Sequence, residues 1–320
     1  MWIVGNFLVF IIGLFLLVWG SNFLIQSSVK LAFLFSLTPL FIGIILIAFG
    51  TSAPELLVGV VAAVKNQKAI ALGNIIGSNI SNIGLILGLC ASIRALKIKK
   101  EIFKKQLPIM LFSVGLLYGL SWDLVLSRID GLIFLVIFFI FCFVTYREAK
   151  GRSSSEELKD FKFNSLFKHT FSKFTVSVIA LFFLGVVIIG ANLMVNSAVN
   201  LAKFFGISPW VIGITVFAIG TSLPELAASL TATVKKVSSI SIGNIVGSNI
   251  FNILFVLGVV ALIKPITIGS FSILLFEMPI LILFTLGVAI FMRTGFKISR
   301  TEGLILLLSY ISFIVFLISK

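Results

Sequence analysis

Two acidic residues lie in the middle of long apolar segments. Glu55 and Glu225 each end a Gly-Thr-Ser-x-Pro-Glu motif, which begins at Gly50 and again at Gly220. A carboxylate at the centre of a membrane is costly unless it is paired or lines a wet cavity. No basic residue lies in these segments to neutralise it. The pair therefore predicts a cation site, and the structural alternative is a protonated carboxyl that is hydrogen-bonded within the protein.

The residues before each glutamate can supply further oxygen ligands. The proline of each motif has no N–H and breaks the helix, which frees backbone carbonyls near the start of the motif. Thr51 and Ser52 precede Glu55 by four and three residues, so the three side chains share a helix face. The second motif repeats this spacing with Thr221, Ser222 and Glu225.

A second polar motif, Gly-Asn-x-x-Gly-Ser-Asn-x-x-Asn, follows each glutamate and occupies residues 73–82 and 243–252. Its first Asn, its Ser and its last Asn recur every four residues and form one stripe on a helix. Where the two stripes can meet, we expect the side chains to be ligands: Ser78, Asn82, Ser248 and Asn252. For the remaining amides we expect interhelical hydrogen bonds: Asn74, Asn79, Asn244 and Asn249.

All of these candidate ligands are hard oxygen donors. Such ligands suit Ca²⁺ and, by the same reasoning, Na⁺, but not zinc or copper. The single histidine, His169, lies in a charged loop, and the two cysteines lie in apolar runs. A remote alternative is an intramembrane hydrolase that uses Ser52 or Ser222, but it would need a base, and no histidine lies in an apolar segment. A third buried acid, Glu277, precedes Pro279 and is expected to cap or anchor a helix start.

The rest of the sequence predicts an all-α polytopic membrane protein. Hydrophobic residues make up 59% of the 320 residues and charged residues only 11%, against about 25% charged residues in soluble domains. Too little polar surface remains for the net charge of +14 to indicate nucleic-acid binding. A spanning helix needs about 20 apolar residues. Ten segments meet this requirement, at 3–28, 38–64, 70–92, 104–121, 128–146, 174–202, 208–234, 240–263, 270–292 and 302–319.

The two halves of the chain are copies of each other. Residues 20–91 align with residues 190–261 without a gap, and 34 of the 72 positions are identical. We therefore predict two five-helix repeats, 1–146 and 174–320, with motif regions at about 38–92 and 208–263, joined by a linker at 147–173. An odd number of spans in each repeat inverts the second repeat. Inverted repeats are typical of secondary transporters with a midplane site, although channels also have them.

Basic residues orient the chain. With ten spans, nineteen of the 25 basic residues fall on the side of the 147–173 loop and six on the side of the termini. The positive-inside rule places this loop in the cytoplasm and both termini outside. The basic cluster at 94–105 contributes to this asymmetry, and a rival interpretation is contact with anionic lipid.

The doubled motif resembles the α-repeats of the sodium/calcium exchangers, within the cation/calcium antiporter superfamily. The central loop is short, as in the compact prokaryotic form of these proteins. The resemblance implies a cell-membrane antiporter, without cofactor or enzymatic activity, that exchanges Na⁺ for Ca²⁺ by alternating access. It also implies that the first and sixth spans slide on an eight-helix body, and that more than two Na⁺ are exchanged for each Ca²⁺.

The resemblance also implies a role for each candidate residue. Glu55 and Glu225 would be central carboxylates shared by both ions, and Thr51 and Thr221 would contribute oxygens. Flanking sodium sites would be lined by Ser52, Ser222, Ser78 and Ser248, with the carbonyls of Ala48 and Ala218. Asn82 and Asn252 would flank the centre, where potassium-dependent exchangers carry an aspartate. A proton-coupled calcium exchanger stays as the alternative, although such proteins usually show Gly-Asn-x-x-Glu where this chain has Gly77.

Overall fold

The described residues of a computed structural model are 2–65, 68–150, 161, 163–164, 167, 171–204, 218–268 and 273–319. In the first half of the chain they form five helical segments: α1 (Trp2–Phe35); α2 (Pro39–Phe41, Ile42–Ile47, Ala48–Thr51 and Ala53–Val64); α3 (Lys68–Ser81, Asn82–Leu87 and Gly88–Ile93); α4 (Ile102–Gln106 and Leu107–Leu120); and α5 (Arg128–Ala149). In the second half they form five more: α6 (Lys173–Phe204); α7 (Ala218–Thr221 and Leu223–Val234); α8 (Ser238–Ile250, Phe251–Leu257 and Gly258–Ile263); α9 (Ile273–Glu277 and Met278–Arg293); and α10 (Arg300–Ser319).

These segments correspond one by one to the ten predicted spans. Within the described ranges, seven helices are each long and apolar enough to cross a membrane. α2 is an eighth if Pro39–Thr51 and Ala53–Val64, which are bent by 41° relative to each other, form one span. Part of the predicted seventh span, 208–217, lies outside the described residues, as does 270–272 at the start of the ninth.

Some helix ends differ from the prediction. α1 continues to Phe35 instead of ending at 28, because the polar side chains near its end are accommodated within the helix. Ser27 Oγ donates to the carbonyls of Phe23 and Leu24, and the side-chain oxygen of Gln26 accepts the backbone N–H of Asn164. α5 runs to Ala149 and so extends into the segment predicted as a linker. Most of that segment lies outside the described residues.

Two short antiparallel sheets connect the halves. β1 (Leu96–Lys97), between α3 and α4, pairs with β4 (Lys297–Ile298), between α9 and α10. β2 (Val125–Leu126), between α4 and α5, pairs with β3 (Ile266–Thr267), between α8 and α9. Each pair joins two loops that the ten-span topology places on the same side of the membrane.

α3 and α8 lie at the centre of the protein. Most of their apolar length is buried, 78% and 83%, whereas the corresponding value for α1 is 17%. Outside this core α1 packs along α6, and the two helices cross at a pair of glycines. A Cβ at Gly13 would lie 2.8 Å from the carbonyl oxygen of Gly190, and one at Gly190 would lie 2.8 Å from that of Gly13. Only glycine permits this approach of the two backbones.

The two central helices change their winding at matching positions. The π-helical part of α3 begins at Asn82, and that of α8 begins at Phe251, next to Asn252. π-helical turns inside α-helices are frequent at functional sites. The predicted ligands Asn82 and Asn252 thus lie at the first turn of these irregular stretches.

Candidate ion site

The two helices that carry the glutamates both break one turn before them. Ser52 and Ser222 leave the helical conformation, with ψ near 6° and 5°, and a proline occupies the first turn of the helix that follows. Glu55 and Glu225 therefore lie in the first turn of new helices and are completely buried. A helix N-terminus carries a partial positive charge, which stabilises a carboxylate in this position.

Hydroxyl groups join the two repeats around the carboxylates. Ser52 Oγ donates to Glu225 Oε1 at 3.0 Å, and Ser78 Oγ donates to Glu55 Oε1 at 3.3 Å. Ser78 Oγ also lies 3.4 Å from Thr221 Oγ1 of the other repeat. The residues that precede one glutamate therefore contact the surroundings of the other, and the two motifs form a single site.

Two asparagines hold the broken helices in matching ways. Asn74 Nδ2 donates to the backbone carbonyl of Glu55 at 3.4 Å, and Asn244 Nδ2 donates to that of Glu225 at 3.3 Å. The Oδ1 atoms of the same asparagines accept the hydroxyls of Thr221 and Thr51, at 3.4 and 3.3 Å. Each asparagine thus connects the glutamate of its own repeat to the threonine of the other.

Several buried oxygen atoms of the predicted ligands have no hydrogen-bond partner among the described residues. They are Oε2 of Glu55 and Glu225, Oγ of Ser222 and Ser248, and Oδ1 of Asn82 and Asn252. All six side chains are at most 2% exposed. An unsatisfied buried polar group costs about 1–3 kcal/mol. Such a set of oxygens matches the ligand preference of a hard cation, which would satisfy several of them at once.

Two backbone carbonyls complete the predicted set. The carbonyl of Ala48 accepts the N–H of Ser52 at 3.0 Å and the hydroxyl of Thr51 at 3.4 Å. It is therefore engaged by the protein in this conformation, and the expectation that the helix break frees it is wrong here. Ala218 begins the described part of α7, and its role as a ligand stays a prediction.

Comparison with known proteins assigns the chain to a family. The family model described as "Sodium/calcium exchanger protein" matches residues 5–147 and 175–319. The chain belongs to the sodium/calcium exchanger family. It is 32% identical to the sodium/calcium exchanger MaX1 of Methanosarcina acetivorans, over 98% of both chains. It is 33% identical to a putative antiporter, CaxA, of Alkalimonas amylolytica, over 97% of this chain and 98% of that one.

Solved structures of a sodium-calcium exchanger, NCX_Mj, share the fold. One, soaked with 10 mM Na⁺ and no Ca²⁺, superimposes with a TM-score of 0.84 at 31% identity over 98% of this chain and 99% of the other. Another, soaked with 100 mM Na⁺ and 10 mM Sr²⁺, also gives a TM-score of 0.84, at 32% identity. The predicted family and the predicted fold of two inverted five-helix repeats are confirmed. The chain is a multi-pass membrane transporter and not an enzyme.

Other residues of this exchanger-family chain depart from their predicted roles. Asn79 and Asn249 donate to the carbonyls of Ile75 and Ile245, one turn back in their own helices, at 2.8 Å each, and not to another helix. Glu277 makes no capping hydrogen bond to the helix that begins at Met278, and its expected role as an anchor stays a prediction. Short-range bonds within a helix explain the first difference, since an amide can reach the carbonyl four residues before it.

Three further hydroxyls near the site were not predicted. Ser229 Oγ accepts the amide of Asn244 at 2.8 Å, and Thr233 Oγ1 lies 2.9 Å from Ser241 Oγ. All three hydroxyl residues are completely buried. Their counterparts at the constant offset of the repeat are small and without hydroxyls: Gly59, Ala63 and Ala71. A comparison of polar residues that differ between the repeats would have found them.

Proposed function

We propose that the protein is a secondary antiporter that exchanges Na⁺ for Ca²⁺ at a site between the two repeats. The observation that carries this proposal is the pair of buried carboxylates, Glu55 and Glu225, in two motifs joined by hydrogen bonds, each with one unsatisfied oxygen. Two carboxylates supply a charge of −2, which one Ca²⁺ or two Na⁺ neutralise. Because both ions would need the same carboxylates, they exclude each other.

The remaining predicted ligands have different roles in this proposal. Thr51 and Thr221 position the glutamates through the asparagines, and the four serines and the carbonyl of Ala218 form flanking sodium sites. Asn82 and Asn252 supply amide oxygens at the centre. The relatives support the choice of ions, since MaX1 is a sodium/calcium exchanger by name and NCX_Mj was studied with Na⁺, Ca²⁺ and Sr²⁺.

Exchange requires that the site open to one side at a time. We propose that α1 and α6, which are packed against each other at Gly13 and Gly190, slide together over the other eight helices. Both helices are long, with 34 and 32 residues. At about 1.5 Å per residue, either exceeds the roughly 30 Å of hydrocarbon, so each must tilt.

The orientation and the division into repeats belong to the same proposal. The 147–173 loop is cytoplasmic, it links the repeats, and both termini are outside. Labelling tests this arrangement after the native thiols, buried Cys90 and half-buried Cys142, have been removed. Cysteines at Ser154 and at exposed Asp123, between α4 and α5, should react from opposite faces of intact cells. Reaction from the same face would contradict the topology.

Ion flux in proteoliposomes tests the function. Purified protein should take up ⁴⁵Ca²⁺ when Na⁺ is the internal cation, and a proton gradient alone should not drive uptake. Glu225→Gln protein, prepared identically, serves as the inactive control. Uptake driven equally by a proton gradient without Na⁺ would replace the proposal with proton–calcium exchange, and the absence of calcium flux under either gradient would overturn both.

A further inference from the structure

A crevice opens where three helices end, on the face that carries β1 and β4. Its volume is about 540 Å³. It is lined by the end of α3 and the residues after it, by the end of α7 and by the start of α10: Ile93, Arg94, Ala95, Thr233, Val234 and Arg300. None of these six residues is acidic, so two guanidinium groups dominate the charge of the crevice.

Neither guanidinium is neutralised by another described residue. Arg94 and Arg300 form no ion pair or side-chain hydrogen bond within the described ranges, where Lys105 pairs with Glu148. The carboxylate nearest to Arg300 in sequence, Glu302, is occupied by the backbone N–H and hydroxyl of Ser299 and by the hydroxyl of Thr294, at 2.7–2.8 Å. The residues that line the crevice therefore carry two positive charges and no negative one.

The other side of the crevice is apolar. Ile93 is 44% exposed and Val234 is 64% exposed, and both lie at the last turn of their helices. The floor carries the buried hydroxyl of Thr233, held by Ser241 and by the carbonyl of Ser229. A small aqueous anion would gain no favourable contact with the two exposed apolar side chains. A phosphate with hydrocarbon attached matches both sides.

We propose that this crevice binds the phosphate of an anionic phospholipid, with the headgroup between Arg94 and Arg300 and an acyl chain along Ile93 and Val234. Arginine recognises phosphate through several parallel N–H donors, and anionic lipids are attracted to basic residues at the cytoplasmic surface. The lipid site does not depend on which ions the protein exchanges. Only its assignment to the cytoplasmic leaflet rests on the proposed topology.

Lipid retention tests the site directly. Full-length protein is exchanged into mixed micelles that contain phosphatidylglycerol and phosphatidylcholine in equal amounts, and retained lipid is counted by native mass spectrometry. We expect selective retention of phosphatidylglycerol, reduced roughly fivefold for each arginine removed, in Arg94→Gln, Arg300→Gln and the double variant. The matched control is Arg293→Gln, which removes an exposed basic residue near the same face that does not line the crevice.

Further measurements distinguish a lipid phosphate from free phosphate, and a loss of binding from a loss of folding. Arg94→Lys and Arg300→Lys keep the charge but lose the parallel donors, so they should restore part of the retention, whereas a folding defect would not be rescued. Displacement of phosphatidylglycerol by inorganic phosphate would show a free-anion site and overturn the lipid proposal. Equal retention of both lipids, or an equal loss in Arg293→Gln, would also overturn it. Calcium flux in phosphatidylcholine vesicles, measured separately, reports on the exchange function alone.

Discussion

Ser52 of α2 donates a hydrogen bond to Glu225 of α7 at 3.0 Å, across the boundary between the two repeats. Its counterpart Ser222 is equally buried, but its hydroxyl has no partner among the described residues. A duplicated site thus makes unequal contacts in its two halves. Because inverted repeats can exchange conformations to reverse the open face, we interpret this inequality as the signature of one access state.

Alanine variants of these two serines should therefore affect opposite faces. In Ser52→Ala the charge-assisted bond to Glu225 is lost, and such bonds contribute about 1.5–3 kcal/mol, or roughly tenfold or more in affinity. We expect a weaker apparent Ca²⁺ affinity on one face in Ser52→Ala and on the other face in Ser222→Ala. Calcium flux, measured from each side of oriented vesicles, gives the apparent Ca²⁺ affinity of each face. Equal shifts on both faces in both variants would contradict the interpretation.

Removing either central charge should abolish exchange. Glu55→Gln and Glu225→Gln keep the side-chain volume but leave the site with one carboxylate, and we expect calcium flux to fall by roughly a hundredfold or more. The control is Asn79→Ala, whose buried amide bonds only within its own helix and whose effect on flux should be much milder. Near-normal flux in either glutamate variant, with normal insertion, would remove that residue from the site.

The hydroxyl that supports only the second repeat should matter for binding. Ser229→Ala removes the 2.8 Å bond to Asn244, the residue that holds both the Glu225 carbonyl and Thr51. A neutral hydrogen bond contributes about 1 kcal/mol, so we expect Ca²⁺ binding to weaken by up to roughly fivefold and the stability to fall by no more than this amount. Ser177→Ala, which loses a bond to its own helix at Lys173, should bind Ca²⁺ normally. Unchanged binding in Ser229→Ala would assign this hydroxyl to packing alone.

The glycine crossing of α1 and α6 can be tested with a built-in control. A methyl group at Gly190 would lie 2.7 Å from the backbone nitrogen of Leu17, whereas one at Gly185, on the same helix, has no neighbour within 4 Å. We expect Gly190→Ala to destabilise the protein by about 1–3 kcal/mol and to slow exchange, and Gly185→Ala to do neither. Melting temperatures measure the stability of the two variants, and initial rates of calcium flux measure their exchange. Equal behaviour of the two variants would show that the helices do not need this close approach.

The sequence predicted the fold and the meeting of the two motifs because polarity inside a membrane carries strong information. A buried glutamate is too costly to be incidental, and the gapless duplication implied inversion once five spans were counted. Both arguments use only residue type and spacing, and the ten helical segments and the joined motifs around Glu55 and Glu225 agree with them.

Side-chain direction could not be predicted in the same way. Asn79 and Asn249 have the residue type of an interhelical donor, yet each bonds to its own helix, and spacing does not distinguish these outcomes. The end of α1 was misplaced because polar residues near 26–30 resemble a loop until their partners are known. The asymmetry at Ser229 was missed because the alignment drew attention to what the repeats share.

The last prediction follows from the charge of the site. Glu55 and Glu225 give a net charge of −2 that one Ca²⁺ cancels, and if more than two Na⁺ replace it, the sodium-loaded protein is positive. Each cycle then moves positive charge in the direction of Na⁺. In vesicles loaded with Na⁺, Ca²⁺ uptake should therefore be faster with the inside positive and slower with the inside negative. The effect should be large, because about 100 mV contributes about 2.3 kcal/mol for each elementary charge moved.

Potassium diffusion potentials set with valinomycin provide the measurement, and Asn252→Asp provides a matched change of charge. Asn252 is buried, with both amide atoms unpartnered among the described residues, so an aspartate adds a third charge without adding volume. It leaves the calcium-loaded site negative and the site with three Na⁺ neutral. The net charge moved in each cycle should be unchanged, but the voltage-dependent step should shift to the calcium-loaded protein. Flux that ignores voltage in the unmodified protein would mean an electroneutral exchange of two Na⁺ for one Ca²⁺, and the additional sodium site would then be wrong.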